Sequence, residues 1–192
     1  NEHLPWSEAL IERFENKWNW DSFRYNNSLP WSETLIERYK DKWDWRDLSR
    51  DRSLPLSEAL IERYQDRWDW IELVKNPSLP WSGALIQRFQ DKWNWRQLSY
   101  CETFSSSREL IDFPWSKALI DQYKDKWNWK LLSENSTLPW SEELIELYHD
   151  KWDWEELRYN VSLKKLFQKW SKQEIHTALD AINSSRSRQS TG

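Results

Sequence analysis

Residues 29–53 read LPWSETLIERYKDKWDWRDLSRDRS, and the same order of residues returns along most of the 192-residue chain. Pro5, Pro30, Pro55 and Pro80 recur at one constant interval, and Pro114 and Pro139 are separated by that same interval. The tryptophan pairs Trp18/Trp20, Trp43/Trp45, Trp68/Trp70, Trp93/Trp95, Trp127/Trp129 and Trp152/Trp154 keep the same phase. Self-similarity at a fixed short period is the mark of a repeat architecture, so the fold of this stretch is the fold of the chain. Copies one to six begin at Pro5, Pro30, Pro55, Pro80, Pro114 and Pro139.

Within copy two, Ser32 precedes an apolar-periodic run and suits a helix N-cap. Trp31 and Ile36 are spaced for a hydrophobic staple, and Glu33 falls in the first turn, where a negative charge favours the helix dipole. Leu35, Ile36, Tyr39 and Trp43 share one helical face, which predicts a first helix over residues 33–42. Pro30 fits the approach to that helix and not its middle. Asp44 with Asp47 is spaced as a capping box, as are Asp69 with Glu72, Asn94 with Gln97 and Asp153 with Glu156, while Asn19 and Asn128 keep only the cap. A short second helix over residues 45–50 follows, with Trp45 and Leu48 on its inner face. Asn26, Asp51, Asn76, Asn135 and Asn160 recur at its exit, where Asn and Asp suggest a left-handed closing residue; Cys101 takes that place in copy four.

The interval from Pro80 to Pro114 is longer than the period. Residues 104–111, FSSSRELI, align with residues 79–86, LPWSGALI, and the unit then restarts at Phe113. A half-repeat at 104–112 is therefore expected, with a plain surface loop as the alternative. A two-helix unit of this size cannot bury its own apolar face, and stacking on neighbours does so. The expected fold is all-α: an α-solenoid of 25-residue helix–turn–helix repeats spanning 1–162, six full copies and a half-repeat, then C-terminal capping helices over 163–183 and a tail over 184–192. At roughly 8–10 Å per packed helix the array would extend on the order of 60 Å.

Composition agrees. Tryptophan occurs 18 times and glycine twice, so large rings do the packing and tight hairpins are disfavoured. With 31% charged residues of both signs and a net charge of -4, nothing electrostatic invites nucleic acid. One cysteine rules out an intrachain disulfide framework. No apolar run approaches the roughly 18 residues of a membrane span. The absence of methionine, even at position 1, leads us to expect a processed product or a fragment. The compartment is left open by the sequence, with a soluble, cytoplasmic chain favoured.

Motifs for chemistry are missing. His3, His149 and His176 are far apart, and no HExxH, CxxC, GxSxG or phosphate loop occurs. Catalytic, cofactor-binding and metal-ligating residues are therefore all expected to be absent. Free exchange of Asp and Asn between the tryptophans suits a cap and not a cation site. The basic residues before each first tryptophan, Lys17, Lys42, Arg67, Lys92, Lys126 and Lys151, suit surface positions stacked on indole. Asn26, Asn135, Asn160 and Asn183 match the glycosylation acceptor pattern, three of them at the helix exit.

WDWRDLS at residues 43–49 and NPSLPWS at residues 76–82 resemble the tryptophan-rich tandem repeats of uncharacterised bacterial and giant-virus proteins, over about residues 4–162. Leu56, where other copies have Trp, and the half-repeat depart from the pattern. That resemblance implies a repeat fold and no activity.

A non-enzymatic scaffold for protein–protein interaction or self-assembly is the expected function. A ligand-binding module with exposed indoles, or a spacer array from a larger protein, are the alternatives. Specificity is expected at positions that vary between copies: Glu15, Lys40, Gln65, Gln90, Lys124 and His149 in the first helix, and Asp21, Arg46, Ile71, Arg96, Lys130 and Glu155 in the second. The candidate partner surface is Lys40, Arg46, Gln65, Ile71, Gln90, Arg96, Lys124 and Lys130. The partner expected is a protein or a second copy, with no nucleic acid, membrane or cofactor, and small molecules disfavoured.

Overall fold

The computed structural model describes residues 4–26, 28–100 and 113–167. Among them every regular element is helical. The α-helices are α1 (Glu8–Arg13), α2 (Glu33–Arg38), α3 (Trp45–Arg50), α4 (Glu58–Arg63), α5 (Trp70–Leu73), α6 (Gly83–Arg88), α7 (Trp95–Ser99), α8 (Lys117–Gln122), α9 (Trp129–Glu134), α10 (Glu142–Leu147), α11 (Trp154–Leu157) and α12 (Val161–Phe167). A 3-10 helix, Trp20–Tyr25, closes copy one. The described residues up to Asn94 form one compact unit, and those from Trp95 onward form a second.

Each copy opens the same way. The N–H of Trp31 donates to the carbonyl of Leu29 at 2.9 Å, a tight turn centred on Pro30, and the same bond recurs at 2.7–2.9 Å around Pro5, Pro55, Pro80, Pro114 and Pro139. Proline's preset φ suits such a turn and keeps the segment out of helix. At the seventh opening Lys164 stands where proline would be, and the chain goes directly into α12. Ser7, Ser32, Ser57, Ser82, Ser116 and Ser141 then cap the first helix, each accepting from the N–H three residues on.

That first helix is shorter than its periodicity predicts, ending at Arg38 instead of residue 42. Tyr39 sits at φ -115 and ψ 24, and the N–H of Lys40 turns back to the carbonyl of Glu37. The carbonyl of Ile36 is thereby released to the indole N–H of Trp43 at 3.2 Å, and the carbonyl of Lys40 receives the indole N–H of Trp45 at 2.9 Å. Carbonyls at a helix end need donors, and here two side chains supply them. The first bond recurs at Trp18, Trp68, Trp93 and Trp127, while the buried N–H of Trp152 has no partner. No glycine is needed where indoles close the helix.

The buried face is the predicted one. Leu35, Ile36, Tyr39 and Trp43, with their counterparts in copies three to six, are buried, and each Leu or Ile so enclosed contributes about 1.5–3 kcal/mol. The second tryptophan of a copy lies half-buried on the next copy's rings. Trp45 meets Tyr64 and Trp68 at centroid distances of 4.7 and 4.8 Å, and Trp129 meets Tyr148 and Trp152 at 4.9 and 4.8 Å.

The half-repeat expected at 104–112, Cys101, most of the expected 163–183 cap and the 184–192 tail lie outside the described residues. On either side of the first of these, copy-to-copy contact keeps its rhythm. Trp95 stacks on Tyr123 and Trp127 at 4.6 and 4.8 Å, in the arrangement that Trp45 adopts on Tyr64 and Trp68.

Candidate interaction surface

Beside the ring stacks, short polar side chains join neighbouring copies. Ser49 donates to the carbonyl of Trp45 at 2.6 Å and accepts the N–H of Asp69, the next copy's cap residue, at 3.0 Å. Ser99 does the same with Trp95 and Asn128, and Ser133 with Trp129 and Asp153. The capping-box expectation is corrected here at Asp69 and Asp153. The cap carboxylate accepts as predicted, but the cap residue's backbone N–H donates to the preceding copy's serine hydroxyl. Glu72, expected to fold back onto Asp69, instead faces Arg46, Arg50 and Lys75.

The exit residues also work differently from the expectation. Asn26, Asp51 and Asn135 have φ between -110 and -70, an extended backbone and not a left-handed one. Their side chains do the closing. The Oδ1 of Asn76 accepts the N–H of Ser78 at 2.9 Å, and its Nδ2 donates to the carbonyls of Ser49 at 3.1 Å and Asp51 at 2.9 Å in the copy before. Asn160 repeats this with Ser162, Ser133 and Asn135. Asn135 reaches the carbonyl of Ser99. These amides are buried and in use, so Asn135 and Asn160 have no room for a glycan in the folded chain. Aspartate cannot donate, and Asp51 instead accepts the indole N–H of Trp31 at 3.1 Å.

Charges lace the first helices of adjacent copies at fixed offsets. Ser57 and Ser82 donate to Glu33 and Glu58 of the preceding copies at 3.0 and 2.9 Å. Arg38 pairs with Glu12 and Arg88 with Glu62, both at 2.8 Å and again one copy back. Arg67 and Lys92 reach Asp41 and Asp66 at 2.5 and 2.7 Å. Arg67, Lys126 and Lys151 also lie 5.3–5.6 Å over Trp45, Trp95 and Trp129, the indole stacking expected of this position. Exposed pairs of this kind contribute at most about 1 kcal/mol each; their periodic match matters more for register.

Two tyrosines tie carboxylates of the preceding copy. The Tyr64 hydroxyl donates to Glu37, and that of Tyr148 donates to Asp121 at 2.8 Å. Burial, reinforced by those hydrogen bonds, pushes both phenols up to about 12. An unfolded phenol titrates near 10. Between roughly pH 10 and 12 the unfolded chain gives up these protons and the folded chain keeps them, so stability is whole below that window and falls as pH rises through it. The urea midpoint of the Tyr64→Phe, Tyr148→Phe double variant should decline less steeply than wild type over that range. Parallel declines would remove both phenols from the account.

The eight sequence-chosen surface residues fall in two sets. Lys40, Gln65, Gln90 and Lys124 lie in the turn after the first helix; Lys40 pairs with Glu37 at 2.8 Å, and the carbonyls of Lys40, Gln65 and Lys124 hold indole N–H groups. Arg46, Ile71, Arg96 and Lys130 occupy the second place of the second helix and are exposed. Two of these are joined to the next copy: Arg46 to Asp69 and Glu72, both at 3.7 Å, and Lys130 to Glu156 at 3.2 Å. Ile71 is 51% exposed. The serine and asparagine contacts are absent from the sequence-based expectation, although the recurring serine of WDWRDLS is a usable signal for the first of them.

No protein-family model, curated protein or solved structure matches this chain. Among the described residues no cluster of His, Cys, Asp or Glu is close enough to hold a metal ion, and no helix is long and apolar enough to cross a membrane. His149 Nδ1 lies 3.0 Å from the carbonyl of Glu146. A cavity lined by Trp20, Trp31, Trp43 and three aspartates measures about 20 Å³, room for about one water. A larger one, about 170 Å³, opens in copy one beside Leu4, Trp6, Trp18, Phe23 and Asn26.

Proposed function

We propose that the chain is a non-enzymatic scaffold, an α-solenoid of 25-residue helix–turn–helix copies, that binds another protein or further copies of itself. The observation carrying this reading is the contrast between frame and surface. Serine, asparagine and indole contacts recur from copy to copy, while the exposed second position of the second helix runs Arg46, Ile71, Arg96, Lys130. Stacked repeats whose exposed positions vary present an extended recognition surface. Ile71 is the apolar member of that row and the first place to look for a contact.

Capture from a host extract by wild type, compared with Ile71→Glu, tests the reading. A specific partner lost from the variant supports it. Indoles that respond to oligosaccharides or nucleobases, together with ready acrylamide quenching of most of the emission, would replace it with a ligand-binding module.

A further inference from the structure

The leading side of copy one is uncovered where every later copy is covered. Phe14 is 40% exposed, whereas its counterparts Tyr39, Tyr64, Phe89, Tyr123 and Tyr148 are 4–7% exposed. Each counterpart is stacked by the preceding copy's second tryptophan, at 4.6–5.0 Å. Leu10 and Trp18 are half-buried where the equivalent residues of copies two to six are buried, and Leu4 is 38% exposed against 2–6% for its counterparts. The Nδ2 of Asn26 is buried and has no partner, although the same atom in Asn76 and Asn160 holds two carbonyls of the copy before. The 170 Å³ cavity lies at this orphaned amide.

The trailing side of copy six offers the complement. No other ring stacks on Trp154 among the described residues, and Tyr159 and Val161 are 62% and 61% exposed. Glu142, Glu146 and Asp150 are exposed and have no cationic partner among the described residues. They occupy the positions from which Glu33, Glu12 and Asp66 receive Ser57, Arg38 and Lys92 of the following copy. At the matching places copy one carries Ser7, Arg13 and Lys17. Acid therefore meets hydroxyl or base at all three offsets.

We propose that copy six of one chain docks on copy one of a second copy of the same chain, head to tail, continuing across the junction the interface that joins successive copies. The occupant is argued from that continuity and from the charge match. Trp154 would cover Phe14 and Trp18, and the carbonyls of Arg158 and Asn160 would take the Nδ2 of Asn26. The proposal deepens the scaffold reading and rests on its stacked copies, not on any other partner. A contact between unlike faces leaves a free face at each end, so it gives a ladder of oligomers unless the rotation closes a ring.

Sedimentation velocity of the 192-residue chain over a range of concentrations is the test. Wild type should associate progressively. Phe14→Glu, which spoils the leading face, should raise the dissociation constant by about tenfold or more. Glu146→Lys with Asp150→Lys, which sets like charges against Arg13 and Lys17, should do likewise. All altered residues are exposed, and circular dichroism verifies their folding. Mixing the two variants leaves one good face on each and should give a one-to-one dimer that grows no further. A wild type that stays monomeric to its solubility limit overturns the proposal, and protection of α1 from hydrogen exchange in that monomer would mean that another part of the chain covers the face. Association insensitive to both variants, or a mixture that fails to pair, overturns it equally. A monomer that still loses its captured partner on Ile71→Glu would leave the scaffold reading standing.

Discussion

Trp43→Ala should lower the unfolding free energy by about 3–5 kcal/mol, at the upper end for one side chain. Trp43 is buried and packs against Trp20, Trp31 and Phe23 at 4.9, 5.0 and 5.9 Å. Removing it opens a cavity between copies one and two and leaves the carbonyl of Ile36 without its indole donor. Trp43→Phe shifts the balance between the two effects, because it keeps one aromatic ring in the stack but loses the indole N–H together with the five-membered ring, and it should cost about 1–3 kcal/mol for the orphaned carbonyl plus a packing loss smaller than alanine's. Urea midpoints with their slopes give both values. A loss below about 1 kcal/mol for the alanine variant would mean that the indole stack is not what joins these copies.

Asn76→Ala should cost about 2–4 kcal/mol, because it strands the buried carbonyl of Ser49, and the partly buried carbonyl of Asp51 and N–H of Ser78, at a joint between copies. Asn76→Asp is the sharper experiment. Aspartate keeps the acceptor for Ser78 but has no donor, and it sets a carboxylate against two carbonyl oxygens. If reaching back to the preceding copy is the main role, aspartate should be at least as damaging as alanine. Were closing the local turn the main role, aspartate would be nearly silent, since Asp51 closes that turn in copy two by the same bond to Ser53. Comparison of the two urea midpoints decides the matter.

Starts of the first helices are legible in the sequence, because a serine cap three residues before Leu35 is a local device that needs no neighbour, whereas the cap expected of Asn19 is not made. The apolar face is legible for the same reason, since Leu35, Ile36, Tyr39 and Trp43 are spaced by helix geometry alone. Helix ends are not. Periodicity runs on through residue 42, whereas the backbone turns at Tyr39, where the indoles of Trp43 and Trp45 reach back to cap the carbonyls. Propensity makes Asn and Asp left-handed closers, but the donors of Asn76 and Asn160 are engaged by carbonyls of the preceding copy, and extended backbone serves that reach. Arg46 and Lys130 look free in the sequence for a related reason: the acids they pair with lie one period on.

By itself the chain's order of residues determined the repeat period, two short helices in each copy and the face each one buries, since these follow from spacing and capping within one copy. Beyond the helix caps, only tertiary structure decided what the serines, asparagines and charged side chains at the joints between copies touch. Those contacts join neighbouring copies, and hydrogen bonds and ion pairs act over a few ångströms, so their partners cannot be named until one copy is set against the next. The uncovered rings of copy one became visible only in the same way, against five counterparts that a preceding copy covers.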